Sequence, residues 1–250
     1  MRFWRYVAPL ILLTTLAACA GSGNPTAGWS PEHLYSAGKT ALDKGNYNKA
    51  INYFQTLQGR YPLGYYAQQA QLEVAYAYYK NGEPKSAIAS AQEFIREHPR
   101  SPAAPYAYYL IGLADFKVTG GIIPLFRPDI EYQVDVRPLR RSFMAFKTLI
   151  EKYPYSKYAS DARQRMIYLR NMLAAHDLYV ADYYLRRGAW AAVIDRCENV
   201  LTEYPGAAGT PKALVMMVKA YRKLDMKTLA RQTYEVLKLN YPKQAAKLEG

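Results

Sequence analysis

The chain is poor in the residues that build metal sites and disulfide scaffolds. It has 2 Cys and 3 His among 250 residues, too few and too scattered for a zinc ribbon, a haem-attachment motif or a disulfide framework. It also has no GxxxxGK[ST], no GxGxxG after a strand, no HExxH and no GxSxG motif. Half of the residues are hydrophobic and 21% are charged, which excludes a disordered tail. We therefore expect a folded chain without a metal or a cofactor.

No set of side chains in the sequence resembles a catalytic centre. The histidines His33, His98 and His176 are isolated, and Cys197 falls at a core position of a helix. A peptidoglycan-cleaving enzyme would need a buried acid in a cleft, and nothing in the sequence marks one. The sequence thus favours a non-enzymatic protein.

The N-terminus has the features of an export signal. Arg2 and Arg5 precede an apolar run, Val7–Ala18, which is too short to span a bilayer as a helix. The run ends in Leu16-Ala17-Ala18-Cys19, a tetrapeptide that resembles the bacterial lipobox; the alternative is an ordinary secretory signal with an incidental Cys. The resemblance implies a signal peptide over 1–18, a triacylated Cys19 that anchors the chain stably, and a linker up to residue 30. In this class of lipoproteins, an Asp directly after the acylated Cys retains the protein in the inner membrane. This chain has Ala20 at that position, which favours the outer membrane.

The charge balance is basic, with 33 Lys+Arg against 20 Asp+Glu. Nucleic acid can explain such a surface, but an exported lipoprotein does not meet it routinely. Anionic lipid headgroups or an acidic partner fit better. Arg163, Arg170 and Asp177 share one face of a helix at i, i+7 and i+14, so we regard both arginines as candidate partner-binding residues; a merely solvated face is the alternative.

The body of the chain is a helical repeat. An aromatic residue and Pro recur at Tyr61-Pro62, His98-Pro99, Tyr153-Pro154, Tyr204-Pro205 and Tyr241-Pro242, and two of the intervals are close to the tetratricopeptide unit of about 34 residues. Each unit has a small residue on its first helix and a 3.6-residue apolar period on its second. The pattern predicts an all-α tetratricopeptide-repeat (TPR) superhelical solenoid of about five helix pairs over residues 31–245, without a sheet.

Two units are irregular. Unit three carries an inserted loop over residues 117–136, between helices near Pro105–Phe116 and Arg137–Tyr153; the loop is functional or a neutral insertion. Unit four begins with 32 residues, Ser156–Arg187, that contain no Pro or Gly, which predicts a long connecting helix. These features divide the chain into units one to three (31–155) and units four and five (156–250).

Tyrosine is abundant, with 25 residues. Many are core residues of the repeats, but others cluster on the first helices, which line the groove of a TPR superhelix. A helix start with aromatic rings and amides suits the C-terminus of an extended peptide. The hypothetical peptide-binding set is Tyr61, Tyr65, Gln68, Gln69, Tyr76 and Tyr79; the alternative is that these side chains are only solvated.

Three segments, together with the lipobox, carry a resemblance to a family. RYPLGYYAQQAQLEVAYAYYK at 60–80, YPYSKYASDARQRMIYLRNMLA at 153–174 and VADYYLRRGAWAAVIDR at 180–196 resemble the BamD family of outer-membrane assembly lipoproteins, also called ComL or YfiO. The resemblance implies a subunit of the β-barrel assembly machinery on the periplasmic face of the outer membrane.

The same resemblance implies specific partners. Units one to three would receive the C-terminal signal of unfolded outer-membrane proteins, and units four and five would bind the periplasmic domains of the central barrel subunit, with Arg196 at that contact. Other assembly lipoproteins are further partners, and nucleic acid is not. The unit-three loop departs from the family pattern, with Phe126-Arg127-Pro128-Asp129 where closely spaced Asp-Arg and Arg-Asp pairs are usual. The alternative function is a periplasmic TPR lipoprotein scaffold for pilus assembly or envelope division.

Overall fold

Helices make up the fold. The computed structural model describes residues 25–118 and 135–249, and these residues form eleven helices and no strand. The helices pair into repeats one to five, each with a helix A and a helix B, and a final helix follows. The all-α TPR solenoid of five helix pairs is thus confirmed. In chain order the helices are α1 (Pro31–Asp43), α2 (Tyr47–Arg60), α3 (Tyr65–Asn81), α4 (Pro84–Glu97), α5 (Ala104–Val118), α6 (Val136–Lys152), α7 (Ala159–Arg186), α8 (Trp190–Glu203), α9 (Thr210–Lys223), α10 (Lys227–Asn240) and α11 (Pro242–Glu249).

The chain forms two compact units, which are distinct from the five repeats. The boundary between them lies between residues 70 and 71. The described part of the first unit, residues 25–70, contains α1 and α2 packed around Leu34, Phe54 and Leu57, all fully buried. In the second unit, residues 71–249, each helix from α4 to α10 packs against the next one along the chain. The functional division at residues 155 and 156 concerns partners and stays a prediction.

The five helices B end at the same point of the repeat. The residue before each Pro caps the helix, and its N–H donates to the carbonyl four residues earlier, from Tyr61 to Leu57, for example, and from Tyr241 to Leu237. The Pro that follows has no N–H and cannot continue the helix. The aromatic-Pro dipeptides therefore fix one register for all five repeats.

The turn between helix A and helix B requires a left-handed backbone. Gly45, Gly82 and Gly188 have φ of 73°, 84° and 69° there. Asp225 takes the same position in repeat five with φ of 56°. A residue with a Cβ atom is strained in this conformation, whereas glycine is not.

A missing side chain on helix A makes room for an aromatic ring on helix B in two repeats. A Cβ atom on Gly38 would lie 2.5 Å from the Phe54 ring, and one on Gly112 would lie 2.5 Å from the Phe146 ring. Both rings are fully buried. Gly38 is one of the small residues that the sequence predicted on helix A.

The irregular elements lie where the sequence predicted them. The long helix of repeat four is α7, with 28 residues, and α5 and α6 flank the predicted insertion. Cys19 and the inserted segment 119–134 lie outside the described residues. Within the described ranges, no helix is both long enough and apolar enough to cross a membrane.

Candidate partner-binding surfaces

The helices A of the second unit carry a cluster of tyrosines. The Tyr158 ring lies 5.3 Å from the Tyr106 ring and 5.0 Å from the Tyr109 ring, between ring centroids. The Tyr109 hydroxyl donates to Asp161 Oδ2 at 2.6 Å, and Arg165 Nε donates to the same oxygen at 2.6 Å. The ion pair between Asp161 and Arg165, in the first turns of α7, thus holds the Tyr109 hydroxyl beside the start of that helix.

Burial raises the pKa of two tyrosines of this cluster, Tyr106 and Tyr109. Burial first, and then the hydrogen bond to the Asp161 carboxylate, raise the pKa of Tyr109 to about 12. Burial and the charge of Glu73 raise the pKa of Tyr106. Although burial alone would raise it, the bonds from Arg165 and Tyr109 lower the pKa of Asp161. Around neutral pH, Tyr106 and Tyr109 therefore present neutral hydroxyls beside the paired carboxylate of Asp161.

Four of the six predicted peptide-binding residues belong to the first unit. The Tyr61 hydroxyl donates its proton to the Trp29 carbonyl at 2.9 Å, so it can contact a ligand only as an acceptor. Tyr65, in contrast, is 71% exposed at the start of α3, beside the Tyr66 ring. Gln68 and Gln69 are half-buried on the same helix. The structure thus leaves Tyr65 as the accessible ring and gives Tyr61 a structural role.

The other two predicted residues belong to the second unit. Tyr76 and Tyr79 are half-buried and pack against the core cluster that includes Leu72, Phe94 and Leu110. Lys117 Nζ lies 5.1 Å from the centre of the Tyr79 ring and donates to the Tyr79 carbonyl at 3.1 Å. The Tyr79 ring thus makes a cation–π contact with a lysine of the same chain.

A first groove, of about 740 Å³, runs between α4, α5 and α6. Asp115 is buried at its edge and accepts hydrogen bonds from Arg141, with N···O distances of 2.9 and 2.7 Å. Burial raises the pKa of Asp115, and Arg141 opposes the shift. We call this the first basic groove because four arginines surround an apolar floor; its main lining residues are Arg96, Arg137, Arg140, Arg141, Ile95, Ile111 and Met144.

A second groove, of about 670 Å³, lies between α6, α7 and α8 and contains both predicted arginines of the long helix. Arg163 donates to the Pro154 carbonyl at 3.2 Å and Arg170 to the Pro205 carbonyl at 3.0 Å. The buried Nε of Arg170 has no hydrogen-bond partner in the part of the chain that the structure describes. We call this the second basic groove, although Glu151 and Glu203 line it together with Lys147 and the two arginines. Its apolar residues are Phe143, Ile150, Met166, Ile167 and Pro205.

Arg196 has a structural contact that the sequence did not reveal. Its guanidinium lies 3.4 Å from Asp177 Oδ1. The Asp177 side chain is only 3% exposed, whereas that of Arg196 is 41% exposed, and Asn199 donates to Asp177 at 2.6 Å. The interpretation of Asp177 as part of a solvated face is therefore wrong, because it lies between helices α7 and α8 with two polar partners.

Sequence reasoning also missed the Asp161–Arg165 pair and the first basic groove. The i, i+4 spacing of Asp161 and Arg165 on a helix was a usable signal for the pair. No local pattern in the sequence indicated the first basic groove, because its residues come from three helices. Cys197 is fully buried as predicted, and burial raises its pKa to about 12. Among the described residues, no group of three or more His, Cys, Asp or Glu side chains could hold a metal ion.

Comparison with known proteins gives a consistent family. The chain is 36% identical over 244 residues to the outer membrane protein assembly factor BamD of Neisseria meningitidis serogroup B, covering 93% of this chain and 91% of the relative. It is 34% identical to BamD of Vibrio cholerae, covering 95% and 98%, and 30% identical to BamD of Haemophilus influenzae, covering 100% and 95%.

Solved structures with a similar chain trace are more distant. MamA is 18% identical, with a TM-score of 0.41 over 88% of this chain and 91% of that one. The TPR2AB-domain:pHSP90-complex of yeast Sti1 is 13% identical, with a TM-score of 0.44 over 86% and 80%. The family model of the YfiO outer membrane lipoproteins matches residues 28–237, so this chain belongs to the YfiO family of outer membrane lipoproteins.

Proposed function

We propose that this chain is a non-enzymatic lipoprotein subunit of the machinery that assembles β-barrels in the outer membrane. It is anchored on the periplasmic face by an acylated Cys19, receives the C-terminal signal of unfolded outer-membrane proteins and docks the central barrel subunit. The observation that carries the proposal is the similarity to assembly factors over more than nine-tenths of the chain.

The second basic groove is the surface that best suits docking of the central subunit. Its apolar floor can bury a partner side chain, and Arg163 and Arg170 each retain N–H donors beyond the one that binds a backbone carbonyl. A guanidinium has five donors and can hold a partner carboxylate in bidentate fashion. Arg196 supports the same role, because its one bond to Asp177 is long and its side chain is 41% exposed.

Copurification from detergent-solubilised outer membrane tests this docking. Arg163→Ala with Arg170→Ala should reduce the yield of the large barrel subunit several-fold. The matched control removes two arginines of the first basic groove, Arg96→Ala with Arg140→Ala, and should leave the yield unchanged. Equal effects of the two pairs would refute the assignment of the groove. A parent chain that brings down no barrel protein at all would instead favour a pilus or division scaffold.

The start of α3 is the proposed point of contact with an unfolded barrel protein. Tyr65 is exposed there, the neighbouring Leu63 is 90% exposed, and a helix start favours a carboxylate. A peptide from the last strand of a barrel protein, carrying a photo-crosslinker, should label repeats one and two. Tyr65→Ala with Gln69→Ala should reduce labelling, whereas the control Tyr155→Ala, at a ring that is 99% exposed, should not. Labelling confined to repeats four and five would contradict this role.

The lipid anchor has its own test. Cys19→Ala removes the acylated thiol, and no described helix can replace it as a membrane span. The variant should therefore lose its sedimentation with outer membranes washed in high salt. Retention after such a wash would show that protein contacts hold the chain, or that the lipobox interpretation is wrong.

A further inference from the structure

The first basic groove has cations and apolar side chains on the same face of one helix. With 100° per residue, Arg137, Arg140, Arg141 and Met144 lie within about 100° of one another around α6. Met144 lies between Arg140 and Arg141 on this face and is 51% exposed. The buried Phe146 is on the opposite side of the helix. The groove therefore presents positive charge and apolar surface side by side.

The arginines of the groove carry more charge than their own partners neutralise. Arg137 and Arg141 each pair with one aspartate, yet 82% and 57% of their side chains are exposed. Arg96 and Arg140 are exposed, and within residues 25–118 and 135–249 they donate no hydrogen bond and form no ion pair. Four arginines and two aspartates leave two positive charges of the groove unbalanced.

The repeat fold does not require this combination of residues. The common helix ends give Met144 and Arg141 equivalents in the other helices B, at fixed distances from the aromatic-Pro dipeptide. Polar or small residues replace Met144 in all four other repeats, and a tyrosine replaces the buried Asp115 in three of them. These residues are Asn52, Ala89, Asp195 and Gln232 for Met144, and Tyr78, Tyr184 and Tyr221 for Asp115.

The shape of the groove suits a helix. Helix α5 packs against both α4 and α6, so its residues, such as the buried Ile111, form the floor between those two helices. The lining face of α6 extends from Arg137 to Thr148, which is about 16 Å or three turns of a partner helix. A flat bilayer does not enter such a concave site. The described residues contain no strand whose edge an extended peptide could join.

The charge of the groove selects an acidic occupant. A guanidinium binds a carboxylate through two parallel N–H donors, and an amphipathic helix in a groove is held by apolar side chains at i, i+3 or i+4, and i+7. Asp115 accepts hydrogen bonds from the Nε and a terminal nitrogen of Arg141. The remaining N–H groups of Arg141 are therefore held in a fixed orientation for a carboxylate of the partner.

We propose that the first basic groove binds an acidic amphipathic helix of a partner protein other than the central barrel subunit. Apolar side chains of this helix pack on Ile95, Ile111 and Met144, and its Asp and Glu side chains pair with Arg96 and Arg140. The second basic groove uses a different face of α6, so both partners can bind the chain at once.

A dye-labelled peptide tests the proposal on the full-length chain purified in detergent. The peptide is about three helical turns long, with Leu at i, i+3 and i+7 and Glu at the flanking positions, and fluorescence anisotropy measures its binding. Arg96→Ala with Arg140→Ala should weaken binding at least about tenfold. Met144→Ser should also weaken it. Arg163→Ala with Arg170→Ala, in the second basic groove, is the matched control and should leave binding unchanged.

The substituted arginines are chosen so that folding is not disturbed. Arg96 and Arg140 are exposed and have no ion pair within the described chain, and an unchanged Tm checks the fold of each variant. Arg141 is kept, because its removal would leave Asp115 buried without its charged partner.

Two further peptides separate charge from pattern. One has Lys in place of Glu, and the other has the same composition in a scrambled order without the apolar spacing. Neither should bind, and binding of the original peptide should weaken at high salt.

A photo-crosslinking residue in place of Met144 identifies the natural occupant in native outer membranes. The control is the same residue in place of Gln232, the equivalent position of repeat five. Mass spectrometry should map the adduct at residue 144, but not at residue 232, to an acidic segment with apolar residues at helical spacing.

Three results would overturn the proposal. The first is equal binding of the scrambled or the Lys-containing peptide. The second is an equal loss of binding with the two pairs of arginine substitutions. The third is an adduct at residue 144 with a lipid, with a second copy of the chain or with a segment that is not acidic, or no adduct beyond that at residue 232. None of these results depends on copurification of the barrel subunit, so the docking proposal stands or falls separately.

Discussion

Repeats four and five align 37 positions apart, yet they fill one buried site differently. In repeat four the site holds Asp177, which is 2% exposed and bonded to Arg196 and Asn199. In repeat five the equivalent residue is Leu214, which is 4% exposed. The residues equivalent to Arg196 and Asn199 are Thr233 and Val236. The equivalent site thus accommodates either a polar cluster or a buried leucine, which packs with Leu237 and Ala245.

This difference shows that the fold does not require the Asp177–Arg196 ion pair. Burying a carboxylate carries a desolvation cost that its partners must offset, and apolar replacements of such pairs are often neutral or stabilising. Repeat five uses the apolar solution at the same site. The proposed docking of a partner by Arg196 would account for the ion pair in repeat four.

At this site, the largest expected effect near neutral pH comes from removing one member of the pair. Arg196→Ala leaves Asp177 buried with only the Asn199 amide, which should cost about 2 kcal/mol of unfolding free energy. At this chain length that corresponds to a fall in Tm of roughly 4 to 8 °C. Thermal unfolding measures it, and Arg196→Lys is the charge-preserving control. An unchanged Tm would mean that Asn199 and water satisfy Asp177 without the arginine.

The next effect is confined to alkaline pH and concerns Cys197, which is equivalent to Tyr234 of repeat five. The folded chain holds the thiol proton up to about pH 12, whereas the unfolded chain releases it near the ordinary value of 9.0. This contribution to stability is therefore complete below pH 9 and is lost as the pH rises from 9 to 12.

The expected loss for the parent chain is about 1.4 kcal/mol per pH unit in that window. Urea unfolding at pH 8 and pH 10, an interval of which only the upper unit lies in that window, should show a total loss of about 1.4 kcal/mol in the parent and a smaller loss in Cys197→Ala. Equal losses would mean that another group controls alkaline stability. Comparing the change in stability with pH in the two proteins cancels the packing cost of the missing sulfur atom, because that cost is the same at both pH values.

A smaller effect comes from the A–B turn, where repeat four has Gly188 and repeat five has Asp225. Asp225→Gly should stabilise the chain by about 1 kcal/mol, because glycine adopts the left-handed backbone without the Cβ penalty. The exposed ion pair between Asp225 and Lys227 contributes little to the unfolding free energy, so its loss costs little. The reciprocal change, Gly188→Asp, should destabilise by a similar amount in the same chemical denaturation experiment. A loss of stability in both variants would show that the Asp225 side chain has a role in its turn.

The smallest expected effect on stability comes from the largest substitution. Asp177→Leu, Arg196→Thr and Asn199→Val together give repeat four the residues of repeat five, and the unfolding free energy should stay within about 1 kcal/mol of the parent value. Copurification of the barrel subunit should nevertheless fall, because Arg196 is gone. A triple variant as unstable as Arg196→Ala would show that the two repeats are not interchangeable at this site. A stable triple variant with normal copurification would remove Arg196 from the docking surface.

The sequence predicted the repeat register well because the signals are local. A Pro after an aromatic residue ends helix B, and the absence of Pro and Gly over Ser156–Arg187 predicts α7 within a few residues. The tightly packed Gly38 was also recognisable as a small residue on helix A. Each of these signals acts within a few turns of one helix or at a single backbone conformation.

The surfaces were less predictable because they depend on distant residues. Nothing in the sequence around Arg196 shows that Asp177, nineteen residues earlier, is buried against it. The sequence pattern predicted that Tyr61 binds a peptide, yet its hydroxyl donates to the Trp29 carbonyl, 32 residues away. Arg163 and Arg170 were identified by their helical spacing, but the groove that they share also needs α6 and α8.

The contact between Gly112 and Phe146 restricts how the chain can change one residue at a time. Any side chain on Gly112 meets the ring at 2.5 Å, and a smaller residue in place of Phe146 leaves a cavity that costs about 3 to 5 kcal/mol. Repeat two has Ala75 and Ala91 at these positions, both fully buried. A path from one arrangement to the other therefore passes through an unstable intermediate unless both residues change together. We expect each of the two substitutions to be harmful alone and tolerated as a pair.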